Sequence, residues 1–173
     1  MRKVVLIMLL LTIVSKTSGL YAQTTMVTPT YPRAVAYLSF IFPLIKLNRL
    51  QTTYDFTTAT TIGFPVGVNI LYSDSFGFSY EITPFIVAQK GISKVSNLVF
   101  DPGPMFRFKH GLTLITRMAF ETQGRYGFTP VLNKVYLRTK VVNYFIAASL
   151  PTRFGNNQLP SIGGSLQFGF IFN

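Results

Sequence analysis

Three carboxylates and three guanidinium groups stand at odd-numbered positions of extended segments: Glu81, Asp101 and Glu121 against Arg107, Arg117 and Arg153. Alternate side chains of a strand share a face, so this parity puts all six on one side of a sheet. Charges of both signs in a confined interior must pair, because a lone buried charge costs several kcal/mol. Three chemistries fit such a set. It can be a salt-bridge and hydrogen-bond plug, a selectivity ring or proton path, or a carboxylate pair for acid–base work. An eight-stranded ring is just wide enough for side chains to fill, which favours the plug.

The other reactive types offer less. The single histidine, His110, lies in a tight turn between Lys109 and Gly111. A hydrolase needs a nucleophile and an orienting acid beside it. Ser73 and Asp74 are the candidates for the same rim, and the simpler reading is a solvated turn histidine. The absence of cysteine, with only one histidine, excludes thiol nucleophiles, disulfide staples and Cys/His metal sites. No Gly-rich phosphate loop leads into a helix, and no cofactor is expected.

The elements that must position these groups are strands. Even positions read Ile62, Phe64, Val66, Val68, Ile70 and Tyr72; then Phe76, Phe78, Tyr80, Ile82 and Ile86; later Leu112, Leu114, Met118 and Phe120. The intervening odd positions include Gly63, Gly67, Asn69, Gly77, Ser79, Glu81, Thr83 and Arg117. Eight strands are expected: Ala34–Lys46, Thr57–Tyr72, Phe76–Gln89, Asn97–Phe108, Leu112–Gln123, Phe128–Leu137, Asn143–Arg153 and Ser161–Phe172. The sixth is the weakest, with Lys134 on its apolar face. Ser73–Ser75, Lys109–Gly111 and Arg138–Val142 are read as turns at one end. Leu47–Phe56, Lys90–Ser96, Gly124–Gly127 and Phe154–Pro160 are read as loops at the other. Pro43, Pro65, Pro84, Pro102, Pro104, Pro130 and Pro151 all fall inside these strands, where each removes a ladder donor. Bulges or breaks are therefore expected at them.

Composition decides which face is inside. Hydrophobic residues make up 49% of the chain, aromatics 15% and charged residues only 12%, the last roughly half the usual globular share. Such a chain cannot make a charged coat for water. Bulky even-face residues from eight strands would overfill a narrow ring, whereas the odd face has the volume a lumen can hold. The apolar face therefore points out, and a closed barrel is the all-β structure that satisfies its own backbone in lipid.

The first residues read as an address. Met1-Arg2-Lys3 is a basic start, Val4 to Val14 an apolar run of eleven residues, and Ser15 to Ala22 a small, polar stretch before Gln23. That is the plan of a cleavable signal peptide. The run falls short of the roughly 20 residues needed to span a bilayer as a helix. The expected organisation is a leader at 1–22, a Thr- and Pro-rich lead-in at 23–33, and a barrel at 34–173. Losing Arg2, Lys3 and Lys16 with the leader leaves 13 basic residues against 5 acidic, a net charge of +8. An exported, lipid-facing chain makes a nucleic-acid partner improbable. Lys46, Arg49, Lys90, Lys94 and Arg125 instead gather near the loop end, where they could hold lipopolysaccharide or lipid phosphates.

The last strand, Ile162 to Asn173, alternates apolar and aromatic residues with small and polar ones, ending Phe168, Phe170 and Phe172. Leader, alternating strands and aromatic ending together resemble the small eight-stranded outer-membrane β-barrel proteins of diderm bacteria, of the OmpX-like and OmpA-transmembrane-domain-like kind. The resemblance implies an all-β, antiparallel up-and-down transmembrane barrel in the outer membrane, monomeric and without an enzymatic site. It also implies an assembly signal in the final strand, read by the barrel-insertion machinery, onto which Phe168, Phe170 and Phe172 fall. Asn173 after the last aromatic, and Gln167 where glycine is frequent, depart from that pattern. The role implied is structural, adhesive or in envelope integrity. A narrow channel or carrier and a membrane-embedded lipid-modifying enzyme are the alternatives.

Overall fold

The computed structural model describes residues 30–57 and 59–172. The expected leader, most of the lead-in, and Asn173 lie outside the described residues. The described chain is antiparallel β-sheet, with one short 3-10 turn at Lys109–Gly111. Its strands are β1 (Arg33–Asn48), β2 (Thr52–Tyr54), β3 (Thr60–Gly63), β4 (Val66–Leu71), β5 (Phe76–Gln89) and β6 (Ile92–Arg107). They continue with β7 (Leu112–Glu121), β8 (Tyr126–Arg138), β9 (Val142–Ser149), β10 (Thr152–Phe154) and β11 (Ser161–Phe172). Most neighbours in sequence pair with one another, and β1 pairs with β11 from Tyr37↔Ile171 to Asn48↔Ser161, so the sheet closes into a ring.

The ring has eleven segments rather than the expected eight strands. The reason is local. β2, β3 and β4 run in succession along β1, and β3 and β4 also share β5, so together they occupy one position in the ring. β9 and β10 likewise share β8 and β11. Pro65 separates β3 from β4, and Pro151 separates β9 from β10; neither residue can donate to a ladder. Their carbonyls still accept, from Ser39 and Gly163 at 3.0 and 2.7 Å.

Four other prolines fall at irregularities too, whereas Pro130 keeps its register opposite Thr116. Register shifts follow Pro43 in β1 and lie just beyond Pro84 in β5, and β6 leaves the ladder to β7 across Pro102 and Pro104. One expected loop is smaller than read from sequence. Lys90–Ser96 shrinks to a two-residue turn, Lys90-Gly91, with φ of 51° and 76°. Both values are positive, as a twisted tight hairpin requires. The sixth strand forms despite Lys134, whose ammonium on the outer face donates to the His110 carbonyl at 2.5 Å. The hydrocarbon stem covers apolar surface while the charge reaches a polar rim.

Odd positions are buried along almost every strand, and the apolar even positions are exposed. Phe100, Phe120, Phe128 and Leu132 are 42%, 46%, 57% and 50% exposed, whereas Glu81, Asp101 and Arg117 are 2%, 5% and 3% exposed. The inside of the ring is charged and its outside is apolar, as the volume argument requires.

Candidate functional site: the lumen plug

One row crosses four neighbouring positions of the ring: Tyr37 opposes Gly67, Gly67 opposes Glu81, and Glu81 opposes Asp101. A Cβ on Gly67 would lie 2.3 Å from the Tyr37 ring. Glycine there lets the phenol lie flat over its neighbour and donate to Glu81 Oε2 at 2.8 Å. The adjoining row runs Asn69, Ser79, Gly103. β7 approaches Gly103 so closely that a Cβ would meet the Thr116 carbonyl at 2.0 Å. Arg117, on that strand, donates from Nη2 to Ser79 Oγ at 3.1 Å and to the Tyr37 hydroxyl at 2.9 Å. The same nitrogen lies 3.1 Å from Glu81 Oε2. Thr83 Oγ1 donates to the other Glu81 oxygen at 3.2 Å. Two glycines thus make room for two long side chains to meet over the middle of the lumen.

The six charged residues expected to share one face do so, but they divide by height. Glu81, Asp101 and Arg117 form the central group with Tyr37. Glu121 and Arg153 pair at 2.5 Å towards the loop end, where Arg153 also donates to Thr129 Oγ1 at 3.0 Å. Arg107 belongs to neither group. Its amide donates to the Ser75 carbonyl at 2.8 Å, and its side chain lines a cavity at the opposite end. Asp101 is the unmatched member: it lies directly across from Glu81, and its Oδ1 has no hydrogen-bond partner in the protein. Like charges placed opposite each other repel, and of the two carboxylates it is Glu81 that Arg117 contacts directly.

Several interior residues were not expected. Tyr37, the hub of the plug, carries a side chain that sequence alone reads as apolar; its odd position on β1 is the available signal. Arg125, expected at the loop surface with the other cations, is 5% exposed. It donates to the carbonyls of Arg153 and Leu159 and to Ser161 Oγ, at 3.0, 3.2 and 3.1 Å. Its chemistry is therefore internal bracing of the loop end. Gln167 points inward and donates to Ser39 Oγ at 2.7 Å, which accounts for a polar residue at that place in the last strand. Phe168, Phe170 and Phe172 all stand at even positions. Phe168 packs edge-on to Phe42 at 6.2 Å, and Phe170 to Tyr144 at 5.3 Å.

The hydrolase constellation does not assemble. Ser73 accepts from the amides of Ser75 and Phe76, capping its own turn, and Asp74 accepts from the Tyr31 hydroxyl. That bond raises the Tyr31 hydroxyl above the ordinary tyrosine range, because ionisation would place two negative oxygens together. His110 is exposed in its turn.

No family model and no curated protein matches the chain. Among solved structures it is similar to the solution NMR structure of the de novo designed TMB2.3. The TM-score is 0.45 and the identity 12%, over 86% of this chain and 98% of that one.

Proposed function

We propose that this chain is an exported outer-membrane β-barrel of eight ring positions, with a structural role in envelope integrity or adhesion and a lumen closed by its own side chains. The observation that carries the reading is the inversion of the two faces. A charged, hydrogen-bonded interior lies within a wall of exposed phenylalanine, leucine and tyrosine. A continuous apolar belt of that kind is unstable in water and suited to hydrocarbon. The space beside Tyr37 and Arg117 is only about 20 Å³, room for little more than one water. That supports a barrel that neither conducts nor hosts a substrate at its centre. The basic start and apolar run of residues 1–22 support export.

Two partners follow from the same reading. Phe168, Phe170 and Phe172 would be read by the insertion machinery during assembly. Arg49, Lys90 and Lys94, all exposed at the loop end, would face the phosphates of anionic lipid head groups, those of lipopolysaccharide included. The deciding experiment combines mobility and conductance. Protein extracted from membranes should migrate faster unboiled than boiled on a detergent gel, and should give no resolved conductance steps in planar bilayers. A periplasmic, detergent-independent protein would overturn the membrane assignment, and regular unitary currents would overturn the closed lumen.

A further inference from the structure

The end of the ring opposite Lys90-Gly91 is hollow. A cavity of about 220 Å³ opens there, beneath the turns at Ser73–Ser75 and Lys109–Gly111. Its rim carries Arg33, Arg107 and Arg138 against one carboxylate, Asp74, and that carboxylate accepts from Tyr31. Its walls are mixed: aliphatic Val35, Leu71, Met105 and Ile115 stand beside polar Thr113 and Asn133. At its inner end lies Asn69, 7% exposed, whose Oδ1 meets no donor of the protein. Beyond it the lumen narrows to the gap of about 20 Å³ beside Arg117, which adjoins the cavity at Asn69, Ile115 and Asn133.

We infer that this cavity is a binding site for a small organic anion, a carboxylate or phosphate on a short apolar body. The rim supplies the recognition. Guanidinium groups bind carboxylate and phosphate through paired, charge-assisted hydrogen bonds, and here they outnumber the single competing acid. The aliphatic part of the wall, Val35, Leu71, Met105 and Ile115, suits a short chain or ring behind the anionic head. The Asn69 oxygen offers an acceptor to any donor carried further in. Because the inner end narrows to that gap, ligand enters and leaves by the same mouth. The site therefore binds without transporting.

The test is methyl NMR on the full chain refolded in detergent micelles, titrated with hexanoate, hexanol and acetate. Hexanoate should shift the Met105 and Ile115 methyls saturably, with hexanol and acetate giving no saturable shift. Replacing both Arg107 and Arg138 by Gln should weaken hexanoate at least about tenfold, the loss expected for removing charge-assisted contacts. Should that double variant fail to give the compact unboiled band, Arg138→Gln alone, on the exposed rim, provides the comparison with a smaller weakening in the same direction. Hexanol binding as well as hexanoate would overturn the proposal, leaving only an apolar space. Equal binding of acetate would overturn it by showing an unselective cationic rim. No saturable shift, or hexanoate binding indifferent to the arginines, would also overturn it.

Discussion

The middle of the lumen and its open end follow the same alternation, yet one is filled and the other hollow. At the centre, Gly67 and Gly103 let Tyr37 and Arg117 lie across the strands and meet Glu81. At the open end the inward residues are mid-sized, such as Val35 and Leu71, and the long ones turn towards the mouth. Filling is thus decided by which long side chains have a glycine to cross, not by how polar the face is. The centre holds its strands through buried, directional bonds; the end leaves room in which substitutions should be felt little.

The largest contrast should come from Arg117→Leu, which leaves Glu81 and Asp101 facing each other without their cation. A loss of about 3–5 kcal/mol is expected for stranding a buried charge, read as a lowered urea midpoint by circular dichroism. A shift below about 1 kcal/mol would mean that the centre is no stiffer than the end. Pairing that change with Glu81→Leu should recover part of the loss, since one stranded carboxylate is removed while Asp101 stays buried. Gly67→Ala comes next. Its methyl would displace the Tyr37 ring, and about 1–3 kcal/mol is expected for overpacking of this kind. Tyr37→Phe keeps the ring and removes the hydroxyl hub, with about 1–2 kcal/mol lost at the same midpoint. The smallest effect is expected at the cavity, where Val135→Leu should stay within about 0.5 kcal/mol because the added methylene has space to enter. A cost there as large as at Gly67 would erase the distinction between the two regions.

Alternation made the faces legible, since Gly63, Gly67, Ser79, Glu81 and Arg117 are odd and their bulky neighbours even. Height along the ring was not legible. It depends on register, and register comes from hairpin geometry and bulges that single residues do not announce. Arg107 was therefore grouped with Arg117 and Arg153, although it sits beside Ser75 at the cavity end. Arg125 is expected at the surface because it lies within the loop read at Gly124–Gly127, although its odd parity agrees with the inward face that it takes. The Lys90-Gly91 turn is hidden because lysine rarely adopts positive φ, so the fourth strand is expected from Asn97 whereas β6 begins at Ile92. The prolines were legible as trouble, and their effect was to split two ring positions rather than to abolish strands.

The seam between β1 and β11 has a consequence for the order in which the ring is made. Tyr37 pairs with Ile171 and Ser39 with Gly169, residues from nearly opposite ends of the described chain. The β5–β6 hairpin, by contrast, zips from a two-residue turn with little loop entropy to overcome. Local hairpins can thus form early and cheaply, while the seam must wait until every intervening stave has found its register. Until then both seam strands present unpaired backbone, so the last step of folding is also the step at which a neighbouring chain could capture an open edge.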